Sequence, residues 1–316
     1  MSAARDFFPS FGNWAIVSRS PAKIDPGPVA DIRRAILHWY RAHGRDLPWR
    51  RTTDPYAILV SEVMLQQTQV DRVEPRYRAF LRRYPTFRRL AAAPLGDVLR
   101  EWSGLGYNGR AKRIWECARS VVDHHRGRMP RDTDTLKRMP GIGAYTAGAV
   151  ATFAFAARAA CVDVNVSRVL SRSIDGVDRA TPARAWELAE AALPRGPSAE
   201  WTHALMDVGS TYCRATPRCA ECPVRKSCRF VAVGAQRSPR VSASRKERFS
   251  KSRRYYRGLV VKALTRTPSL SCLKLGEQVK AGFEKSDAPW LNELLEGLQR
   301  DGLVAIDRRH KTVRLP

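Results

Sequence analysis

The sequence lacks any long apolar run. Nowhere does it reach the roughly 18 consecutive apolar residues that a membrane-spanning helix needs. Its N-terminus also lacks an apolar signal core. Phe7, Phe8, Phe11 and Trp14 are interrupted by Pro9, Ser10, Gly12 and Asn13. These absences lead us to expect an intracellular, cytoplasmic chain with no membrane partner. Acidic residues are scarce: 30 Asp and Glu face 56 Lys and Arg, a formal net charge of +26. That imbalance suits a polyanionic partner. An arginine-rich proteome would give the same balance, so charge alone indicates nucleic acid or an acidic surface. Cysteine is sparse outside one place. Of the seven, Cys117, Cys161 and Cys272 stand alone and read as core residues. The other four crowd into the stretch 213–228, which in a reducing compartment means a metal or cluster site rather than disulfides. No internal repeat occurs.

Strand alternation is missing from the first 230 residues. Apolar residues recur there at helical spacing, as in Ile32, Ile36, Leu37 and Tyr40, or Leu90, Leu95, Val98 and Leu99. An all-α core over 28–230 is expected, preceded by a flexible arm over 1–27. Residues 231–254 form a basic linker with Arg237, Arg240, Arg245, Lys246, Arg248, Lys251, Arg253 and Arg254. From 255 to 316 the pattern changes. Tyr256, Leu259, Val260 and Leu264 suggest one helix, and Leu291, Leu294, Leu295 and Leu298 another. Leu303-Val304-Ala305-Ile306 and Thr312-Val313-Arg314-Leu315 suggest a hairpin. That order predicts a small winged-helix-like α+β module.

Four constellations carry chemistry. In Leu136-Lys137-Arg138-Met139-Pro140-Gly141-Ile142-Gly143-Ala144-Tyr145 a helix ends, turns tightly and restarts. Gly141 and Gly143 permit left-handed backbone and close approach of a phosphate. The N–H groups opening the second helix would bind it, and Ile142 would be the apolar peg. A plain helical corner is the alternative. About twenty residues on, Asp163 lies between Val162 and Val164 before a helical pattern. It is either an ordinary N-cap or a partly buried functional carboxylate.

The third is a helix opened by Asp54 as cap and Pro55 in the first turn. On it Glu62 projects among Ile58, Leu59 and Leu65, with Gln66 alongside. Desolvation on that face would raise its pKa toward the range of a proton donor. A Glu at a stripe edge paired with an arginine is the bland alternative. The fourth is Cys213-(5)-Cys219-(2)-Cys222-(5)-Cys228. Four thiolates with a central Cys-x-x-Cys suit tetrahedral zinc or a [4Fe–4S] cluster, and spacing does not choose between them.

Together these features resemble the helix-hairpin-helix DNA glycosylases of the endonuclease III superfamily. The branch they look most like is the MutY-type adenine DNA glycosylases, over roughly residues 29–230. Arg45-Asp46-Leu47-Pro48-Trp49-Arg50, Ser61-Glu62-Val63-Met64-Leu65-Gln66-Gln67-Thr68-Gln69 and Gly104-Leu105-Gly106-Tyr107 carry the branch resemblance. It implies two helical subdomains, a six-helix one over about 53–160 and a cluster subdomain from 28–52 and 161–230. It implies a [4Fe–4S] cluster on Cys213, Cys219, Cys222 and Cys228, with zinc as the alternative. Glu62 would be the acid that protonates adenine, and Asp163 the carboxylate that stabilises the sugar cation. Tyr145 stands where bifunctional relatives carry lysine and forms no Schiff base. With Asn165 it would hold the carboxylates and the water. Gln67 and Tyr107 would wedge into the base stack, and Arg45, Arg50 and His203 would lie near the flipped adenine. Pro140, Gly141, Ile142 and Gly143 would hold the backbone.

The implied activity is monofunctional hydrolysis of the N-glycosidic bond of adenine opposite 8-oxoguanine or guanine, in double-stranded DNA, by a nucleoid-associated monomer. Thymine removal from T·G mispairs and a non-catalytic damage-binding module are the alternatives. The chain departs from the branch in three places. The first cysteine gap is five residues where six is usual. His203 replaces Gln or Glu. The C-terminal pattern is not that of the Nudix-like lesion-reading domain.

Overall fold

The computed structural model describes residues 24–234 and 249–316, apart from the side chains of Pro26 and Lys251. The expected arm up to residue 23 and the linker from 235 to 248 lie outside the described residues. In chain order the helices are α1 (Pro26–His43), α2 (Pro55–Leu65), α3 (Val70–Arg83), α4 (Phe87–Ala91), α5 (Leu95–Glu101) and α6 (Gly109–His125). They continue with α7 (Thr133–Arg138), α8 (Ala144–Phe155), α9 (Val164–Leu170), α10 (Pro182–Ala191), α11 (Ala199–Thr211) and α12 (Arg229–Ala232). Then come α13 (Arg253–Arg266), β1 (Ser269–Ser271), α14 (Cys272–Val279), α15 (Ala288–Arg300), β2 (Ala305–Asp307) and β3 (Thr312–Arg314). No strand occurs among the described residues before β1.

These elements form two compact units. Among the described residues, one takes 24–44, 162–195 and 200–234; the other takes 45–161, 196–199 and 249–316.

In the second unit α2 is the central helix. Tyr56 through Met64 are all buried, so the helix is covered on every side rather than along one stripe. Its start follows the sequence: Asp54 accepts from Tyr56 N at 3.0 Å and Pro55 occupies the first turn. Helix α8 is built largely of small residues and is buried from Thr146 to Phe153. Its Gly148 admits the Ala160 carbonyl so closely that a Cβ there would lie 2.2 Å from the oxygen.

The C-terminal residues of this unit run α13-β1-α14-α15-β2-β3. The sheet has the order β1-β3-β2 with antiparallel pairs. Leu270 faces Val313, and Val313 faces Ile306. Val260, Leu264, Leu275, Leu291, Leu295 and Leu298 fill the core beneath. The two expected helices and the hairpin are present. Strand β1 and helix α14 were not foreseen; β1, at three residues, is too short to display alternation. Cys117 and Cys161 are core residues, but Cys272 opens α14 and is only half-buried, contrary to its reading as core. The C-terminal residues pack on the rest of the unit. Gly96 N donates to the Pro316 carbonyl at 3.1 Å, and the Lys112 side chain lies along Gly302.

In the first unit α1 is tied to distant segments. Arg33 donates to the carbonyls of Ala192 (3.3 Å) and Leu193 (3.1 Å), and Arg41 pairs with Glu200. Arg172, in a single π-turn over Ser171–Asp175, forms a buried ion pair with Asp178.

No helix among the described residues is long and apolar enough to cross a membrane.

Candidate active site

In the second unit, α7, the turn at 139–143 and α8 form the expected helical hairpin. Gly141 has φ +74°, the left-handed region that favours glycine. A Cβ there would also lie 2.7 Å from Arg113 Cβ. Ile142 is buried as the peg, while Pro140, Gly141 and Gly143 are exposed. Gly143 is the N-cap of α8, and no side chain caps that helix start. A helix N-terminus of this kind is where phosphates bind to backbone N–H groups.

Helix α8 brings Tyr145 to α2. The Tyr145 hydroxyl donates to Glu62 Oε2 at 2.7 Å. Glu62 is 6% exposed. A buried carboxyl group in contact with a phenol is an unusual burden for a central helix, since an ionised one is costly to desolvate. Structural demands alone would favour an apolar residue here.

Gln67 and Tyr107 are both exposed, and both have left-handed backbone, with φ of 55° and 48°. Such angles are uncommon for side chains other than Gly, Asn and Asp. One residue supports both loops. Arg110 is buried at the start of α6. Its Nη1 donates to the carbonyls of Val63 (2.9 Å), Met64 (2.8 Å) and Gln66 (2.6 Å). Its Nη2 donates to Thr68 Oγ1 (3.0 Å) and to the carbonyls of Leu105 (3.2 Å) and Gly106 (3.1 Å). A cation at a helix N-terminus opposes that helix's dipole, but Arg110 is aimed at the C-terminal carbonyls of α2, which favour it. Burial lowers its pKa to about 10, so it stays charged near neutrality. Sequence reading missed Arg110. The signal was there: a lone arginine on the same stripe as Ala111, Ile114, Cys117, Ala118 and Val121.

Arg45 is exposed in the loop before the turn Pro48–Arg50, and Arg50 Nη1 donates to its carbonyl at 3.0 Å. Buried Trp49 anchors the turn.

In the first unit Asp163 is the N-cap of α9. Its Oδ1 accepts from the N–H groups of Asn165 (2.9 Å) and Val166 (2.7 Å), and its Oδ2 accepts from Asn165 Nδ2 (2.9 Å). It retains some solvent contact. Even so, burial is the dominant influence and holds its pKa above the usual carboxylate value, against these hydrogen bonds, which lower it. The cap reading is therefore correct, and the carboxylate is also perturbed in the manner of a functional group. Arg168 Nη2 donates to Asn165 Oδ1 and to the Gly209 carbonyl, each at 2.8 Å. Gly209 is needed for that approach, since a Cβ would lie 2.6 Å from Asn165 Cβ. Arg168 is the second residue the sequence reading did not single out. His203 is half-buried on α11.

The same unit gathers the four cysteines. Cys213, Cys219, Cys222 and Cys228 line one pocket with Val169, Arg172 and Phe230, a cavity of about 20 Å³. Among the described residues no three His, Cys, Asp or Glu side chains converge tightly enough to hold one metal ion. Arg172 Nη1 donates to Cys213 Sγ at 3.5 Å and to the Arg214 carbonyl at 2.7 Å. Burial pushes the Cys222 thiol up to about 12 and raises Cys213 and Cys228 as well.

Residues 60–194 match the HhH-GPD superfamily of base excision DNA repair proteins, and that is the class the hairpin and fold define. The adenine DNA glycosylase of Mycolicibacterium smegmatis is 44% identical over 233 residues, covering 72% of this chain and 78% of the relative. That of Mycobacterium tuberculosis H37Rv is 43% identical over 210 residues, covering 65% of this chain and 68% of the relative. The human adenine DNA glycosylase is 40% identical over 219 residues, which are 40% of its own length. The chain belongs to the adenine DNA glycosylase family. Among solved structures, a thermostable thymine-DNA glycosylase superposes with a TM-score of 0.61 at 32% identity, over 65% of this chain and 97% of that one. Endonuclease III trapped on DNA superposes with a TM-score of 0.58 at 22% identity, a likeness of fold.

Proposed function

We propose that this chain removes adenine paired with 8-oxoguanine or guanine in duplex DNA, hydrolysing the N-glycosidic bond and leaving the strand intact. The observation that carries the reading is the buried Glu62 held by the Tyr145 hydroxyl. A proton delivered to adenine N7 makes the base a better leaving group. The bond between C1′ and N9 then breaks, its electron pair leaving with the base. Asp163 offsets the positive charge that develops on the sugar, and Asn165 holds that carboxylate in place. Water adds to C1′ and gives its proton to the Glu62 carboxylate, which restores the acid. Tyr145 stands at the hairpin position where an amine would form a Schiff base, and a phenol does not. Strand cleavage is accordingly not part of the reaction. Before any chemistry the nucleotide must be flipped, at a cost of a few kcal/mol. The exposed Gln67 and Tyr107 are suited to fill the gap, with Arg45, Arg50 and His203 as further contacts. Pro140, Gly141, Ile142 and Gly143 supply the phosphate grip.

The four thiols gathered in one pocket are the residues that would hold a [4Fe–4S] cluster, with zinc as the alternative. When bound, such a cluster supplies four metal–thiolate crosslinks that fix the loop from Cys213 to Cys228. The C-terminal order α13-β1-α14-α15-β2-β3 supports a winged-helix assignment for that module.

The test is base release by the purified, cluster-loaded monomer from A·8-oxoguanine, A·G and T·G duplexes, with and without alkali. Adenine release with strand breaks only after alkali is expected. The likeness to a thymine-DNA glycosylase makes the T·G duplex the informative competitor. Thymine release without adenine release would replace the reading.

A further inference from the structure

Tyr107 is held by two arginines, one three residues on and one from a distant part of the chain. The Arg110 guanidinium lies 5.3 Å from its ring centroid. The Arg254 guanidinium lies 5.1 Å from the same centroid, and its Nη1 donates to the Tyr107 hydroxyl at 3.0 Å. Arg254 is 147 residues downstream, in the first turn of α13. It also lies 5.1 Å from the ring of Phe249. An arginine there gains nothing from the helix dipole, which favours acidic residues at that end. Cation–π contacts and the phenol bond are what hold it.

The module that carries Arg254 is well seated. Pro316 accepts from Gly96 N, and Lys112 lies along Gly302. Within the module Arg257 pairs with Asp301, and Arg253 pairs with Glu293 at 2.9 Å, both tying α13 to the α15 region. Arg254 therefore reaches Tyr107 from a packed scaffold. Tyr107 needs such support, being 40% exposed with φ of 48°.

We propose that Arg254 is a specificity-determining positioning residue, through which the C-terminal module sets the pose of Tyr107 against the base opposite the excised adenine. The inference rests on the reading of Tyr107 as a duplex contact. 8-Oxoguanine differs from guanine by an added C8 oxygen and an N7 hydrogen. The phenol takes one nitrogen of the Arg254 guanidinium, and its other N–H groups are donors of the kind that added oxygen accepts. The module thereby joins lesion reading directly.

The test uses the full-length, cluster-loaded protein as wild type, R254A, R254K, Y107F and the double variant R254A/Y107F. Single-turnover rates are measured on A·8-oxoguanine and A·G duplexes, with melting curves for each protein. R254A is expected to reduce the preference for 8-oxoguanine about tenfold, with an unchanged melting temperature and little change on A·G. The double variant should be no worse than the more affected single one, and R254K should restore part of the preference. Equal slowing on both duplexes, or an unchanged preference, overturns the proposal. Anisotropy with the same duplexes keeps the two readings apart. A wild type that releases no adenine defeats the excision reading. An equal binding preference in wild type and R254A defeats the role of Arg254.

Discussion

The Tyr145 hydroxyl and the Glu62 carboxylate meet at 2.7 Å, 83 residues apart in sequence, and so join the helical hairpin to the central helix. Glu62→Gln keeps the volume and removes the acid. It should lower single-turnover adenine release by about 10²–10⁴-fold, with duplex affinity within a factor of a few. Tyr145→Phe removes one hydrogen bond and should cost roughly five- to tenfold in rate. Rapid-quench assays with excess enzyme measure both. A Glu62→Gln rate equal to wild type would remove Glu62 as the acid.

Asp163→Asn should leave the protein inactive but no less stable at neutral pH. Asparagine caps a helix about as well as aspartate, so α9 keeps its start. The raised pKa of Asp163 in the folded state sets the sign. A carboxyl group of this kind favours folding fully below its unfolded pKa, and that contribution is lost as pH rises through the folded pKa. The melting-temperature gain of the variant over wild type should therefore grow with pH across the carboxylate range and vanish at the acid end. A variant that melts lower than wild type at pH 7 would contradict this account of Asp163. In the wild type, catalysis that needs the ionised form should rise with pH over the same range.

Arg110→Met should destabilise the protein by about 3 kcal/mol or more, because several buried carbonyl groups lose their donor together. Arg110→Lys should recover only part of this, since an ammonium group does not reproduce the planar fork. Urea denaturation gives the stability, and duplex affinity should fall in both variants as the Gln67 and Tyr107 loops loosen. Stability within 0.5 kcal/mol of wild type for the methionine variant would refute the organising role.

Protein purified without oxidation should be brown and carry about four irons per chain. Cys222→Ser should lose most of the iron. Chelation or ligand loss should lower the melting temperature, since metal binding in such sites contributes to folding. Colourless protein with one zinc per chain would decide for the alternative ion.

The sequence disclosed whatever is encoded locally. Asp54 and Pro55 start α2, Gly141 and Ile142 shape the hairpin turn, and the closely spaced cysteines meet in one pocket. All three depend on neighbours within a few residues. Asp163 was legible as a cap or a functional carboxylate, and only the packing around it showed that it has the features of both. Long-range partnerships stayed hidden. Nothing near Glu62 in sequence names Tyr145, nothing near Tyr107 names Arg254, and Arg110 declares only that it is out of place on an apolar stripe. Strand β1 was invisible because its partner β3 lies more than forty residues away and supplies its reason to be extended.

The first unit is assembled from three separated stretches of chain. Helix α1 leaves the ribosome ahead of its partners, and the carbonyls that receive Arg33 are made 159 and 160 residues later. At typical synthesis rates α1 waits on the order of 10–30 s for its partners. The stretch 45–161 of the second unit is complete in the meantime and free to fold. Closing so long a loop makes the first unit the slower one to form. Refolding should therefore show helical packing around α2 before the cysteine pocket is built, and iron added too early would meet thiols not yet gathered.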